Sequence, residues 1–524
     1  MIGTGSVGAP LTIPMMLSAT VDRHPDREAL VDGELRLSYG AWNERIERVA
    51  AGLTQIGLRR YDRVALLTGV GEPMATLYFA CQKLGAIAVP MNHRLSAGEA
   101  GHILADSGAR ALAYSARLAP QAVGACDRAG GGRQLVVVGA GTEGAPAGHH
   151  DYEQLARAHP GPDVSGAVAP EDVSALMYTS GTTGRAKGVV HSHANDVAAA
   201  MNCGLEYQLG ADDRALHICP LHHVGGMQAF FIPHLLVGAA NLLHSRYEAA
   251  RALTAIEAEA ITTLFAVPAQ IEQLLALVSA GAADASSLRM ITTGGAALPA
   301  ETMERVLDRL CPRLYNGYGM TEASLTLLLH PREMRAKLGS CGKPTLISQA
   351  RIVTHETDRD VAPDEQVAPG EVGQLIARGP QMTPGYWSGT AEQSVRLRHG
   401  WIYTGDLFTQ DAEGYYWFRG RADDLIVSGG ENIYPSEVEE VVRRCPGIAE
   451  VKVVGLPDDR WGTIVAAFVV RGDPLLDETA IDGFCRDSDE LAAFKRPRRI
   501  VFVDSLPISA SGKVLGRELV ARYA

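Results

Sequence analysis

The sequence predicts an α/β protein with a large, multi-subdomain N-terminal domain and a small α+β C-terminal domain. Short apolar runs alternate with longer segments of helical periodicity over most of the chain, a pattern typical of mostly parallel sheets covered by helices. At 524 residues, the chain is too long for one compact core. After Arg421 the alternation changes character, and a second, smaller set of elements begins.

The N-terminal alternation is clearest in two stretches of the chain. The predicted elements there are helix Tyr39–Gln55, strand Arg63–Leu67, helix Pro73–Leu84, strand Ala86–Val89, strand Arg289–Ile291, helix Pro299–Leu310 and strand Arg313–Tyr315. One further strand, Gln134–Val138, lies in a glycine-rich stretch. The polar segment His355–Gly370 then introduces a strand-rich portion, Val372–Trp417. We therefore expect parallel sheets followed by a region dominated by strands.

The C-terminal segment has the composition of one small domain. Its predicted elements are helix Pro435–Arg443, strands Ala449–Val454 and Val465–Val470, helix Glu478–Cys485 and strand Arg499–Phe502. These elements follow the polar junction Arg421-Ala-Asp-Asp424. We place the domain boundary there, with an N-terminal domain of residues 1–422 and a C-terminal domain of residues 423–524.

Composition and charge argue against several classes of function. A net charge of −12, with no concentrated basic stripe, is poorly suited to a nucleic-acid backbone. The eight cysteines are scattered without a CxxC pair, which predicts reduced, buried thiols. No apolar run approaches the roughly 20 residues of a membrane span, and the first residues lack the pattern of a signal peptide. We expect a cytoplasmic protein without a membrane span.

The strongest local signal for chemistry is Tyr178-Thr-Ser-Gly-Thr-Thr-Gly-Arg-Ala-Lys-Gly188. An apolar strand runs into three glycines and four hydroxyl residues, and Lys187 adds positive charge. Glycines allow backbone N–H groups to turn inward as an anion nest, and hydroxyls add donors. The motif therefore predicts a polyphosphate site. It differs from the G-x-x-x-x-G-K-[ST] loop, because glycine follows Lys187.

This segment resembles the phosphate loop of the adenylate-forming superfamily, which includes acyl-CoA synthetases, peptide-synthetase adenylation domains and beetle luciferases. Further landmarks of that superfamily occur in the same order. They are Pro220-Leu-His-His223, Gly294-Gly-Ala296, Asn316-Gly-Tyr-Gly-Met-Thr-Glu322, Tyr403-Thr-Gly-Asp406, Gly420-Arg-Ala-Asp-Asp424, Ser428-Gly-Gly-Glu-Asn432 and Ser511-Gly-Lys513. The resemblance covers essentially the whole chain, and it implies ATP as co-substrate.

The resemblance implies a role for each residue of the nucleotide site. Glu322 and Thr182 would hold Mg²⁺, a hard cation that prefers oxygen ligands. Asp406 and Arg421 would bind the ribose, and Tyr318 would stack on the adenine. The full set implied for ATP and AMP, besides Lys187, is Thr179, Ser180, Gly181, Thr183, Gly184, Gly294, Gly295, Ala296, Asn316, Gly317, Tyr318, Gly319, Met320, Thr321, Asp406 and Arg421.

The resemblance also implies two half-reactions, between which the C-terminal domain moves as a lid. Lys513 would stabilise charge while a carboxylate attacks the α-phosphate of ATP. The C-terminal domain would then rotate about a hinge at Asp423, which replaces Lys513 with the Ser428–Asn432 turn. A thiol would attack the acyl-adenylate and release AMP.

The C-terminal portion is most similar to aryl-CoA ligases of the 4-chlorobenzoate type, which implies CoA as the acceptor. The implied CoA contacts are Arg94, Ser428, Gly429, Gly430, Glu431, Asn432, Trp461, Phe494 and Arg496. Two alternatives stay open. Trp461 and Phe494 could instead be core residues, and the acceptor could be the phosphopantetheine of a carrier protein.

The predicted acyl pocket is small and mostly apolar. His223 matches the gate between the carboxylate and the thiol tunnel, and the other implied residues are His222, Val224, Phe265, Gly317, Gly319, Ser324 and Leu325. This set fits a small aromatic or a short to medium aliphatic carboxylic acid. It offers no lysine or arginine for a second carboxylate. His222 stands where an aromatic residue is common and could contact a polar group or point away. The oligomeric state is left open, with a homodimer as one candidate.

Overall fold

The helix predicted for Tyr39–Gln55 forms with these bounds, and its sequence shows why. Ser38 caps its N-terminus, since the Ser38 side chain accepts a hydrogen bond from the backbone N–H of Ala41 at 3.2 Å. Its large apolar residues recur at helical spacing and are fully buried, and Trp42 donates from its indole nitrogen to the Thr76 hydroxyl at 2.9 Å. One face of the helix is thereby fixed in the core.

The fold is described from a computed structural model covering residues 10–139, 146–159, 168–180, 186–281, 284–356, 359–389, 396–428, 431–458, 460–488, 491–508 and 514–524. The strands are β1 Glu28–Asp32, β2 Leu35–Ser38, β3 Arg63–Leu67, β4 Ile87–Pro90, β5 Ala111–Ser115, β6 Gln134–Val138, β7 His150–Asp151, β8 Val173–Ser180, β9 Ala186–Ser192, β10 Arg214–His217, β11 Ala240–Leu243, β12 Thr263–Phe265, β13 Met290–Thr293, β14 Leu314–Met320, β15 Ser324–Leu329, β16 Lys343–Pro344, β17 Gln349–Val353, β18 Gly373–Arg378, β19 Leu397–Arg398, β20 Trp401–Gln410, β21 Tyr416–Arg421, β22 Ile426–Ser428, β23 Glu431–Ile433, β24 Ile448–Asp458, β25 Gly462–Arg471 and β26 Arg499–Phe502.

The helices complete the element order. They are α1 Ile13–Arg23, α2 Tyr39–Gln55, α3 Glu72–Leu84, α4 Ala97–Ser107, α5 Ala119–Arg128, α6 Tyr152–Leu155, α7 His193–Glu206, α8 Ile232–Val237, α9 Ala249–Ala258, α10 Pro268–Ser279, α11 Ala300–Arg309, α12 Pro331–Met334, α13 Pro435–Arg443, α14 Glu478–Asp487 and α15 Gly516–Tyr523. Among the described helices, none is long and apolar enough to cross a membrane. The predicted α/β fold class is confirmed.

The chain divides into two units, and the first contains two large sheets. This unit comprises Met1–Ala350 and Ala377–Ile402. One sheet has seven strands in the order β7-β6-β5-β3-β4-β8-β9, and the other has nine in the order β16-β15-β14-β13-β12-β10-β11-β1-β2. Most neighbouring pairs are parallel, as predicted, with antiparallel strands at the edges. Parallel strands place the loops that follow them at one edge of each sheet, where ligands of such folds bind.

The second unit comprises Arg351–Ile376 and Tyr403–Ala524. It contains most of a five-stranded sheet, the hairpin β22–β23 and a three-stranded sheet of β24, β25 and β26. A separate apolar core, including Ile433, Val438 and Ile481, lies under α13 and α14. Residues 403–422 belong to this unit because β20 and β21 form an antiparallel pair. The predicted domain boundary at 422/423 marks the hinge of an expected rotation, and it stays a prediction.

Strand β14 is longer than the sequence predicts. The sequence predicts a strand only over Arg313–Tyr315, but the glycine-rich stretch that follows continues as a strand to Met320 and pairs with β15. A β-bulge between Tyr318 and Gly319 accommodates the irregular pairing. The tertiary pairing with β15 thus overrides the weak strand propensity of glycine.

All eight cysteines are free, and seven are buried, as the sequence predicts.

Candidate functional site

Two paired strands flank the centre of the phosphate motif. Strands β8 and β9 are antiparallel, with Thr179 opposite Lys187 and Ser180 opposite Ala186. Gly181, Thr182, Thr183 and Gly184 lie outside the described residues, and for Ser180 only the backbone is described. Within β9, Gly188 lies against the Tyr178 ring, which a Cβ would approach to 3.0 Å. Strand pairing therefore places Lys187 opposite Thr179, and the predicted phosphate role of both residues stays a prediction.

Several landmarks gather at the carboxyl edge of the nine-stranded sheet. Across the parallel strands His217 lies beside Phe265, Phe265 beside Thr292, and Thr293 beside Asn316. The loops that follow these residues carry the 220–226 segment, Gly294-Gly-Ala296 and the turn at Glu322. The sheet register therefore brings together segments that are far apart in sequence.

Glycines allow two of these segments to approach closely. A Cβ on Gly294 would lie 2.7 Å from the Gly317 carbonyl oxygen, and a Cβ on Gly319 would lie 2.1 Å from the Ser324 carbonyl oxygen. Both distances are too short for any side chain. The Asn316 side chain is buried and donates from Nδ2 to the Ser340 carbonyl at 2.8 Å. The backbone of the predicted adenine slot is thus fixed by close packing, with Gly295 at φ +82° and Ala296 exposed.

Glu322 lies in the turn after β14 and is only 8% exposed. Its Oε1 accepts a hydrogen bond from the Tyr386 hydroxyl at 2.8 Å. Burial and the neighbouring Glu322 carboxylate raise the pKa of Tyr386, which keeps the phenol a proton donor. In the described part of the chain, no lysine or arginine forms an ion pair with Glu322. A buried carboxylate held only by a neutral donor suits a hard cation such as Mg²⁺.

Tyr386 and the segment around it lie outside every motif of the sequence. This segment pairs with β9, since the Val190 N–H donates to the Gly385 carbonyl at 3.0 Å and the Trp387 N–H to the Gly188 carbonyl at 2.9 Å. The available signal was an aromatic pair, Tyr386-Trp387, after a proline and a glycine in an otherwise polar stretch. That signal alone does not identify its partner Glu322.

The predicted gate lies in a cluster of histidines. The rings of His222 and His223 are 4.5 Å apart, and that of His93 lies 6.2 Å from His222 in an edge-to-face arrangement. Burial, followed by the nearby His223, His93 and Arg94, holds the pKa of His222 well below its usual value. His222 is therefore neutral at physiological pH. Arg94, the predicted CoA contact on the same loop as His93, is exposed.

The predicted acyl residues form an apolar group on the nine-stranded sheet. A Cβ on Gly225, next to Val224, would lie 3.0 Å from the Phe265 ring, and a Cβ on Gly317 would lie 2.8 Å from Leu325 Cδ1. Phe265 and Leu325 belong to one hydrophobic cluster. Ser324 is buried at φ +51°, a conformation that is uncommon for a residue with a side chain. Strain of this kind is frequent at functional sites.

In the second unit, the two predicted ribose residues face one another. Asp406 on β20 pairs in register with Arg421 on β21, and Arg421 Nε lies 3.3 Å from Asp406 Oδ1. The predicted hinge residue Asp423 follows in an exposed 3₁₀ turn, Ala422–Asp424.

Two aromatic residues of the predicted CoA set, Trp461 and Phe494, are on the surface of the second unit. Trp461 and Phe494 are 46% and 43% exposed, so neither is a core residue. The Arg460 guanidinium lies over the Trp461 ring at 4.8 Å, and Arg496 Nε lies 3.1 Å from Asp482 Oδ1. Ser428 and Glu431 pair across the hairpin β22–β23. Gly429, Gly430 and Lys513 lie outside the described residues, as does the Asn432 side chain.

Comparison with known proteins gives a consistent assignment. The sequence model "AMP-binding enzyme" matches residues 17–387, and "AMP-binding enzyme C-terminal domain" matches residues 437–513. A feruloyl-CoA synthase of an Amycolatopsis species is 38% identical over 95% of this chain and 96% of its own. An indoleacetate–CoA ligase of Aromatoleum aromaticum is 37% identical over 97% and 99%. Among solved structures, an anthranilate–CoA ligase in complex with anthranoyl-AMP is 26% identical over 99% of both chains, with a TM-score of 0.87.

Proposed function

The chain belongs to the AMP-binding enzyme family as an AMP-forming acid–CoA ligase, and from that premise we propose which acid it activates and which residues carry each step. The acid is a small aromatic carboxylic acid that bears a polar substituent. The observation that carries this proposal is the apolar group around Phe265 and Leu325, together with two buried polar atoms in the predicted acyl set. These atoms are His222 Nε2 and Ser324 Oγ, and neither has a hydrogen-bond partner among the described residues.

Buried polar atoms without partners are costly, so a ligand that satisfies them gains affinity. A hydroxyl, amino or ring N–H group on an aromatic acid supplies such a partner, whereas a plain alkyl chain does not. The relatives named for feruloyl-CoA, indoleacetate and anthranilate act on acids of this chemistry. Their likeness to this chain over nearly its full length supports the same class here.

In the first step, a carboxylate oxygen of the acid attacks the α-phosphorus of ATP. A P–O bond to the acid forms, the bond to the bridging oxygen breaks, and pyrophosphate leaves. Lys187 and residues 179–184 bind the phosphates, while Lys513 stabilises the charge that develops on the α-phosphate. Asp406 and Arg421 hold the ribose, and Gly294-Gly-Ala296, Asn316 and Tyr318 form the adenine slot. The segment Gly317–Thr321 lines the same slot.

Glu322 and Thr182 would hold Mg²⁺, which neutralises phosphate charge when bound. The carboxylate of Glu322 fits this role, because Tyr386 is a neutral donor to one of its oxygens and no described residue donates to the other.

In the second step, the CoA sulfur attacks the acyl carbonyl. The C–S bond forms, the C–O bond to AMP breaks, and the thiol proton is released. His223 gates the approach of the thiol. Arg94 contacts a phosphate of CoA, and Trp461, Phe494 and Arg496 grip its nucleotide end, with rotation about Asp423 bringing the 428–432 hairpin to the site.

The test is CoA-dependent AMP release with a matched set of acids at equal concentration. The set pairs each polar aromatic acid with its plain counterpart, such as 4-hydroxycinnamate with cinnamate and 2-aminobenzoate with benzoate, and adds hexanoate. We expect the highest kcat/KM for a polar aromatic acid. A preference for hexanoate would overturn the assigned acid class. Acyl transfer to a carrier protein without turnover of free CoA would overturn the assigned acceptor.

A further inference from the structure

A short segment outside every sequence motif contacts both β9, which carries Lys187, and Glu322. This clasp segment, residues 379–389, lies along β9, with an isolated antiparallel bridge between Tyr386 and Val189. The Val190 N–H donates to the Gly385 carbonyl at 3.0 Å, and the Thr383 hydroxyl donates to the Val190 carbonyl at 2.6 Å. The clasp is therefore fixed to the strand that carries Lys187.

The same clasp contacts Glu322 through both backbone and side chain. The Thr383 N–H donates to the Glu322 carbonyl at 2.8 Å, and the Tyr386 hydroxyl donates to the Glu322 carboxylate at 2.8 Å. Glu322 lies in the turn between β14 and β15 of the nine-stranded sheet, whereas β9 belongs to the seven-stranded sheet. The clasp thus sets the position of the Glu322 carboxylate relative to β9 and Lys187.

We propose that Tyr386 is a positioning residue, which orients the Glu322 carboxylate for the metal ion of the nucleotide complex. This inference rests on the metal role proposed above for Glu322. A glutamate side chain has three rotatable bonds, so a donor on a segment that is hydrogen-bonded to β9 restricts the directions in which its second oxygen can point. The phenol touches neither ATP nor the acid in this assignment, and it acts through Glu322.

Tyr178, on the strand β8 that pairs with β9, offers a matched control. The Tyr178 hydroxyl donates to Asp106 Oδ2 at 2.6 Å, so it is also a tyrosine–carboxylate hydrogen bond next to the phosphate motif. It does not involve Glu322. Tyr178→Phe and Tyr386→Phe therefore remove the same chemical group from similar surroundings, and only the second change releases the proposed metal ligand.

The experiment measures metal binding directly. Mn²⁺ binding is followed by electron paramagnetic resonance in the presence of a non-hydrolysable ATP analogue, with thermal melting as the check on folding. For Tyr386→Phe we expect the Mn²⁺ dissociation constant to rise by about tenfold to a hundredfold, the usual loss when a group that orients a metal ligand is removed. For Tyr178→Phe we expect a change below about threefold.

Kinetics supply the second readout. In an acid-dependent pyrophosphate assay, Tyr386→Phe should require more Mg²⁺ for half-maximal rate, and saturating Mg²⁺ should restore kcat to within about threefold. If Tyr386→Phe does not fold, Thr383→Val loosens the clasp without altering the phenol and should raise the Mn²⁺ dissociation constant by about threefold or more.

The proposal is overturned if the folded Tyr386→Phe protein binds Mn²⁺ like the wild type, or if both tyrosine variants lose affinity equally. Its failure is distinguishable from failure of the proposed function. A wild-type protein that binds Mn²⁺ with the nucleotide but releases no pyrophosphate with any acid would contradict the ligase assignment and leave Tyr386 in place.

Discussion

Asp406 and Arg421 lie directly opposite each other on the antiparallel strands β20 and β21, with 3.3 Å between Asp406 Oδ1 and Arg421 Nε. The carboxylate is mostly buried, whereas the guanidinium is 41% exposed. Strand pairing therefore fixes an acceptor and a donor side by side before any nucleotide binds. This geometry suits two adjacent ribose hydroxyls, which would accept from the arginine and donate to the aspartate.

Asp406→Asn is expected to raise the KM for ATP by about tenfold to a hundredfold, because hydrogen bonds to a charged acceptor contribute roughly 1.5–3 kcal/mol. The KM for the acid should change little. The measurement is steady-state pyrophosphate release at varied ATP. Glu440→Gln is the matched control, since Glu440 forms an exposed ion pair with Arg444 on the same unit at 3.2 Å. A similar rise in both variants would contradict a ribose contact.

How much of this site the sequence predicts depends on how local each signal is. Glu322 and Lys187 stand in short motifs whose glycines and hydroxyls are adjacent in sequence, so both were identified. Tyr386 was not, because its partner is 64 residues away and the contact exists only through pairing of the clasp with β9. Helix Tyr39–Gln55 was predicted with its observed bounds because its cap and its apolar spacing lie within the helix itself.

The extent of β14 illustrates the opposite case. Local propensity favours a turn at Gly317 and Gly319, but their lack of side chains is what allows the strand to lie against Gly294 and Ser324. A glycine selected for close approach is indistinguishable in sequence from a glycine selected for a turn. Only the tertiary neighbours decide between the two.

The hinge prediction concerns Asp423, which lies in an exposed 3₁₀ turn after β21. Asp423→Pro fixes φ at this position and should block the rotation, so that adenylation survives while thioester formation falls by about tenfold or more. The two half-reactions are measured separately, as acid-dependent pyrophosphate release and as thioester formation from supplied acyl-AMP. Lys513→Ala should show the reverse split, losing about 10²–10³ in the rate of adenylation. If Asp423→Pro slows both half-reactions equally, the hinge lies at another residue.

The acceptor site gives a prediction that separates binding from stability. Trp461 is 46% exposed and lies under the Arg460 guanidinium, so Trp461→Ala should change the free energy of unfolding by less than about 0.5 kcal/mol. Its KM for CoA should rise by about threefold to tenfold, because an aromatic stack contributes roughly 0.5–1.5 kcal/mol. Arg496→Ala should also raise the KM for CoA. With dephospho-CoA in place of CoA, the difference in KM between the wild type and this variant should be smaller.

Leu475 is the control for this surface. It is 89% exposed on the same unit, so Leu475→Ala removes apolar area without affecting the proposed CoA contacts. Unchanged CoA kinetics in Trp461→Ala and Arg496→Ala would contradict the assigned CoA site.

The stability of the protein in mild acid should depend on His193, at the start of α7. The residue is fully buried, and neither ring nitrogen has a hydrogen-bond partner among the described residues. Burial lowers the pKa of His193 to about 4, whereas in the unfolded chain the ordinary pKa is about 6.5. As the pH falls below 6.5, the unfolded chain takes up a proton and the folded protein does not. Stability is therefore full above pH 6.5 and is lost between about pH 6.5 and 4.

At pH 5 this loss amounts to about 2 kcal/mol relative to pH 7.5, since each pKa unit corresponds to about 1.4 kcal/mol. His193→Leu removes the titrating group and has a similar volume. Between pH 7.5 and pH 5, its free energy of unfolding should therefore fall by about 2 kcal/mol less than that of the wild type. The measurement is equilibrium urea unfolding at both pH values. Asn202→Ala is the control, because Asn202 is a buried polar residue of the same helix whose side chain also has no hydrogen-bond partner among the described residues but does not titrate. Its effect should be equal at both pH values. If His193→Leu keeps the full pH dependence of the wild type, His193 is protonated in the folded protein and its buried nitrogens have a partner.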